Sequence, residues 1–180
     1  MKITISGVTI ECIRGDIVSQ PDITAIVNAA NAQLRMGGGV AGVIHRAAGP
    51  GLEEECRPLA PIKQGEAVIT GGYRLPNHFV IHCLGPVFGM DKPEDKILEN
   101  CYRNALKLAE QHKTDSIAFP AISTGAFGYP VEKAAEVAIK TIIETVLDLQ
   151  YIKRIRFVLY SDSDLDIHEK ILSSPKSRIS

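Results

Sequence analysis

The sequence predicts an α/β fold: a mixed, mainly parallel sheet with helices on both faces. Three observations predict it. From residue 23 onward short apolar runs alternate with helical patterns, as strand–helix–strand units do. An opening hairpin adds antiparallel character. With 180 residues, 45% of them hydrophobic, the chain is long enough to bury a sizeable core without metal or disulfide staples. One domain over residues 1–173 is expected, followed by a polar tail over 174–180.

The elements follow from local pattern. Residues 3–13 read as a hairpin: Ile3 and Ile5 alternate with polar residues, Ser6-Gly7 turns the chain, and Val8, Ile10 and Cys12 alternate again. Residues 23–27 form a short apolar strand leading into Asn28. Glycines 37–39 precede a helical run from Val40 to Ala48, closed by Gly49-Pro50. A short helix through Glu53–Glu55 stops before Pro58. Strand patterns return at 66–70 and 78–84. Over 94–112, Ile97, Leu98, Cys101, Ala105, Leu108 and Ala109 recur at spacings of three and four, the stripe of an amphipathic helix. A buried strand is expected at 116–122, then a long helix from Pro130 to Leu149 with Ala135, Ile139, Ile142 and Val146 facing inward. Glu136 and Lys140 are spaced to pair on its outer face. A strand at 154–160 and a helix near Asp164 complete the pattern.

Charge and cysteine usage narrow the function. The net charge is -1, so the excess of Lys and Arg that marks a broad nucleic-acid surface is missing, and nucleic acid is not expected as a partner. Cys12, Cys56, Cys83 and Cys101 form no C-x-x-C pair and lie among apolar or helical residues, so buried free thiols, a reducing compartment and no metal site are expected. No apolar run approaches the roughly 20 residues of a membrane span, and the N-terminus reads as a strand rather than a signal peptide. Cytoplasmic location follows as the expectation.

Ligands of open α/β sheets sit beyond the carboxyl ends of the strands, which directs attention to the loops after residues 27, 122 and 160. The first holds Asn28-Ala-Ala-Asn31 and then Gly37-Gly38-Gly39-Val40-Ala41-Gly42. Successive glycines let a backbone approach a ligand and take positive φ, and the helix behind them offers unpaired N–H groups and a positive dipole end, so phosphate is the natural partner. A plain tight turn is the alternative, but it rarely needs three glycines in a row. Gly37, Gly39 and Gly42 match G-x-G-x-x-G literally; the context does not, because about ten residues separate the strand from the glycines and no acid ends the next strand.

The second loop, Ser123-Thr124-Gly125-Ala126-Phe127-Gly128-Tyr129-Pro130, leaves a strand and enters a helix, with its glycines bracketing an exposed Phe127. Two such loops at one sheet edge suggest a diphosphate between them. The G-K-[ST] lysine of an NTPase is missing. Taken alone, Asp16 after a strand reads as a cap, Tyr160 as core, and His45 on an apolar helix as a packed side chain. His78 and His82 share one strand face but stand too far apart to chelate one metal. Ser123 lacks the G-x-S-x-G elbow of a nucleophile.

Together, Gly15-Asp16-Ile17, Asn28-Ala-Ala-Asn31, Gly37–Gly42, Ile44-His-Arg-Ala-Ala-Gly49 and Phe119-Pro-Ala-Ile-Ser-Thr-Gly125 through Pro130 resemble the macro domain family, in family order and over nearly the whole chain. Bacterial MacroD-like proteins are the nearest likeness. The resemblance implies a three-layer α/β/α fold, ADP-ribose or an ADP-ribosylated protein as partner, and no cofactor. It implies that Asp16 accepts a hydrogen bond from the adenine 6-amino group, assisted by the Ile17 N–H; a carboxylate cannot donate, which disfavours a 6-oxo purine. Tyr160 would flank the adenine. Asn31 would bind the distal ribose, with Asn28 supporting its loop. N–H groups of Gly38, Gly39 and Val40 would face one side of the diphosphate, and those of Ser123, Thr124, Gly125, Ala126 and Phe127 the other, with Phe127 packing on the distal ribose.

The resemblance also implies hydrolysis of mono-ADP-ribosylated protein or O-acetyl-ADP-ribose, with Asn31 and His45 as the catalytic residues. One position departs. Hydrolytic members resemble Gly-Val-Asp-Gly where this chain has Gly39-Val40-Ala41-Gly42, and alanine neither accepts a proton nor orients a water. A reader that binds ADP-ribose and cleaves nothing is the alternative. A weaker one is a regulator that binds RNA or another protein.

Overall fold

A computed structural model describes residues 1–174. Most of the tail expected over 174–180 lies outside the described residues. Seven strands form one sheet in the order β1-β2-β7-β6-β3-β5-β4. They are β1 (Lys2–Ile5), β2 (Val8–Arg14), β3 (Ala25–Ala29), β4 (Ala67–Gly71), β5 (Phe79–Cys83), β6 (Ser116–Phe119) and β7 (Arg154–Leu159). The five inner strands run parallel, and β1 and β4 pair antiparallel at the two edges. The sheet is mixed and mainly parallel, as predicted. The hairpin turns at Ser6-Gly7, both in the left-handed region.

The helices are α1 (Gly39–Ala48), α2 (Pro50–Cys56), α3 (Glu94–Gln111), α4 (Val131–Thr145) and α5 (Asp162–Leu172). Alternate residues of the inner strands point to opposite helix layers, the period-2 geometry of a strand buried on both faces. Val27, Ile81, Ile117, Phe119, Ile155 and Phe157 meet Leu98, Tyr102 and Leu106 of α3 and Ile139 and Ile142 of α4 in one core. Ile26, Val80, Ala118 and Val158 meet Ile44 and Ala48 of α1 and Leu52 and Cys56 of α2 in the other. The result is a three-layer α/β/α sandwich.

Boundaries shift in instructive places. The strand expected at 116–122 ends at Phe119, so Pro120–Ile122 already belong to the loop. Asn28 lies inside β3 rather than after it. The helix expected to reach Leu149 ends at Thr145 and tightens into a 3₁₀ turn over Val146–Asp148. Lys140 approaches Glu144 at 4.0 Å instead of pairing with Glu136; both spacings are one helical turn, and Glu144 is also anchored by Arg103 at 2.7 Å. All four cysteines are buried free thiols.

Candidate functional site

The parallel strands β2, β7, β6 and β3 are neighbours and end at one edge of the sheet. Their register sets Arg14 beside Leu159, Phe157 beside Phe119, and Ile26 beside Ala118. Topology alone therefore gathers the loops holding Asp16, Tyr160, residues 120–128 and residues 30–38.

The glycine loop opens onto the N-terminus of α1. Gly38 is the N-cap, no side chain caps the helix, and no acidic residue stands in its first turn. The N–H groups of Gly38, Gly39 and Val40 have no acceptor among the described residues, and the last turn carries His45 and Arg46. Dipole and orphan donors thus point positive potential at the groove. Of the three successive glycines only Gly39 takes positive φ, at 57°. Gly42 is needed for space: a Cβ there would collide with the carbonyl of Gly37.

In the second loop Thr124 donates to Ala121 at 3.3 Å, Gly128 to Gly125 at 2.9 Å and Tyr129 to Ser123 at 2.9 Å. The Thr124 N–H therefore closes the turn in this structure. The consecutive N–H groups of Gly125, Ala126 and Phe127 find no acceptor among the described residues. Ser123 has φ 68°, unusual for a residue with a side chain, and its buried hydroxyl has no partner among the described residues. Phe88 donates to the Phe127 carbonyl at 2.9 Å and its ring lies 4.9 Å from that of Tyr129, so the loop after β5 braces this one. Phe127 is half-buried against the α1–α2 core rather than exposed.

Asp16 caps a turn, not a helix: Oδ1 accepts the Val18 N–H at 3.1 Å, and its carbonyl accepts Ser19 N–H at 3.0 Å. The carboxylate is exposed, and the Ile17 N–H has no acceptor among the described residues. Tyr160 follows β7 with 89% of its surface open, so it is not core. The Asn31 side chain clasps its own loop, donating to the Arg35 carbonyl at 2.8 Å and accepting the Arg35 N–H at 3.0 Å. A cleft of about 260 Å³ lined by Gln33, Arg35, Glu53 and Arg57 opens beside that loop and contains none of the expected site residues.

Asn28 and His45 lie deeper. Asn28 is buried in β3 and its Nδ2 meets His82 Nδ1 at 3.0 Å. His82 Nε2 meets Thr70 Oγ1 at 2.9 Å and lies 3.7 Å from Cys56 Sγ. The His45 ring lies 6.4 Å from that of His82, tilted by 49°, and is 2% exposed, with Nε2 unpartnered among the described residues. Burial lowers the pKa of His45, against the nearby charge of Glu53, and pushes that of His82 down to about 3, so both rings stay neutral. His78, outside β5, is exposed and remote from this cluster. Sequence reasoning missed the cluster. The available signal was a polar residue in the middle of Val80-Ile-His-Cys83, a run otherwise fit for burial on both faces.

The Macro domain family model matches residues 27–138. A macro domain-containing protein of Chlorobaculum tepidum is 53% identical over 169 residues, covering 93% of this chain and 98% of that protein. A Salmonella typhimurium protein named O-acetyl-ADP-ribose deacetylase is 44% identical, covering 91% and 94%. The macrodomain of Oceanobacillus iheyensis, solved with ADP, superposes with a TM-score of 0.94 at 40% identity, covering 99% of this chain and 97% of that one. Glycine loops, sheet order and relatives agree, and the chain belongs to the Macro domain family.

Proposed function

We propose that this protein binds ADP-ribose across the groove where β2, β7, β6 and β3 end. The observation that carries the reading is two rows of main-chain donors at one sheet edge: Gly38, Gly39 and Val40 on one loop, Gly125, Ala126 and Phe127 on the other, all without acceptors among the described residues. Such rows suit a diphosphate held without net positive charge. The exposed carboxylate of Asp16 and the N–H of Ile17 offer an acceptor and a donor for an adenine edge, and the open Tyr160 ring a face to lie against it. Asn31 and Phe127 fall to the distal ribose, with Asn28 and Ser123 supporting the two loops from beneath. The test is calorimetric titration with ADP-ribose, with AMP and NAD as controls. Tight binding of ADP-ribose alone supports the reading; no binding to folded protein overturns it.

A second reading adds hydrolysis of an ADP-ribosyl bond, in ADP-ribosylated protein or O-acetyl-ADP-ribose. The relative named for deacetylation of O-acetyl-ADP-ribose favours it. Ala41 opposes it, since its methyl group in the first turn of α1 cannot orient a water. His45, on the buried side of α1 itself, would act by seating that helix against the sheet rather than by touching substrate. Ala41→Asp separates a hydrolase from a reader. A catalytic carboxylate commonly contributes about 10²–10⁴-fold in rate, so the variant should speed release of ADP-ribose by that order. If neither form releases any, the non-catalytic reader stands.

A further inference from the structure

The turn that carries Asp16 follows the Gly15 N–H, which donates to the Leu159 carbonyl of β7 at 3.0 Å, and is tied to the sheet again by a buried side chain, Gln20. Arg156, in the middle of β7, donates from Nε to Glu11 at 2.8 Å, from Nη1 and Nη2 to Asp22 at 2.9 and 2.7 Å, and from Nη1 to Gln20 Oε1 at 2.8 Å. A guanidinium has no acceptor, so Gln20 must turn its oxygen to Arg156 and its NH₂ away. That NH₂ donates to the Asp16 carbonyl at 2.9 Å. Gln20 is only 4% exposed, and its own carbonyl is gripped by Asn77 Nδ2 at 2.8 Å and by the Ile23 N–H at 3.1 Å. The amide therefore has one orientation, and through it the position of the Asp16 main chain is set by the sheet. Beyond that carbonyl, among the described residues, the Asp16 side chain and main chain are held only by Val18 and Ser19 of the same turn, while Gly15 before it bonds Leu159 and the Ile17 side chain after it is buried in the core.

We propose that Gln20 is a positioning residue for purine selection: it transmits the fixed Arg156 network to the Asp16 turn and so aims the carboxylate and the Ile17 N–H at one edge of the base. The proposal rests on the ADP-ribose reading above. A turn free to rotate could still meet a purine, but it could no longer insist on an acceptor beside a donor at fixed spacing. Loss of the Gln20 donor therefore costs discrimination between a 6-amino and a 6-oxo purine rather than grip on the phosphates.

The experiment measures affinities of ADP-ribose, its inosine analogue and ribose 5-phosphate for wild type, Gln20→Glu and Gln20→Met. Gln20→Glu keeps an acceptor for Arg156, loses the donor to Asp16 and sets a charged oxygen against that carbonyl; Gln20→Met, similar in length and uncharged, loses both hydrogen bonds. Thermal melting checks the fold, and either variant suffices if the other does not fold. Wild type should prefer ADP-ribose to the inosine analogue. In the variants that preference should shrink roughly 2- to 10-fold, the worth of one hydrogen bond, with ribose 5-phosphate binding unchanged. An unchanged preference in a folded variant, or equal weakening of all three ligands, overturns the proposal and leaves ADP-ribose binding intact. Failure of wild type to bind ADP-ribose overturns the underlying reading itself.

Discussion

The two faces of the sheet are built on different principles. Toward α3, α4 and α5 the strands present almost only apolar residues, and Tyr102, Phe119 and Phe157 stack their rings 5.0–6.3 Å apart. Thr141 and His168 there bond carbonyls within their own helices, Val137 and Asp164, and the links between elements are mostly thiols: Cys101 to the Leu84 carbonyl and Cys83 to that of Cys101. Toward α1 and α2 the buried polar groups join separate elements. Asn28 of β3, His82 of β5 and Thr70 of β4 are one chain of contacts; Arg156 of β7, Glu11 of β2 and the turn before β3 are another. Apolar contact is non-directional, so the first face supplies cohesion. Hydrogen bonds are directional, so the second supplies placement, and it underlies the loops of the groove.

This contrast can be broken at several points. The largest effect is expected from Phe157→Ala, a fully buried ring on the apolar face: about 3–5 kcal/mol of stability, read by denaturant unfolding, with ADP-ribose affinity of the folded fraction unchanged. Asp16→Ala should do the reverse. Hydrogen bonds to charged groups are worth about 1.5–3 kcal/mol, so affinity for ADP-ribose should fall by roughly 10- to 100-fold while the melting temperature hardly moves. Equal effects of the two substitutions on both readouts would abolish the distinction.

Acid tests the polar face differently. His82 ionises near 6.5 in the unfolded chain and is held neutral in the fold to about 3. The unfolded state therefore binds the proton first, and stability, full above pH 6.5, declines as pH falls from 6.5 toward 3. One such histidine gives a slope of about 1.4 kcal/mol per pH unit within that window. His45, and His168 on the other face, are also lowered and add in the same sense. Unfolding of wild type and His82→Gln at pH 7 and pH 5 isolates the share of His82; a parallel decline in both would assign the effect elsewhere. The smallest change is expected from Lys140→Ala, since its ion pair with Glu144 is exposed: less than about 0.5 kcal/mol by the same unfolding measurement.

The apolar face was legible in the sequence because its rules are periodic. The stripe Leu98, Cys101, Ala105, Ala109 on α3 and the alternation of the hairpin both state which side is buried. The anion loops were legible because glycine clusters and a helix start leave a local signature. What escaped depends on pairing between distant residues. Gln20 and Arg156 stand 136 positions apart and Asn28 and His82 stand 54 apart. Neither spacing is a pattern; only the parallel crossovers make them neighbours. The left-handed turn at Ser123, φ 68°, escaped too, since it stands at a residue with a side chain and not at one of the glycines that mark such turns in a sequence.

The four thiols give the molecule its own set of clocks. Burial pushes Cys12 and Cys101 up to about 12 and Cys56 up to about 11, and raises Cys83 well above its ordinary value, so the native protein holds almost no thiolate for an alkylating reagent. Each cysteine can be labelled only when its surroundings open. Cys12, Cys83 and Cys101 lie in the apolar layer, whereas Cys56 alone lies between α2 and the sheet, beside His82. The order in which they become reactive thus reports which layer of the sandwich comes apart first, with no cysteine having to be engineered in.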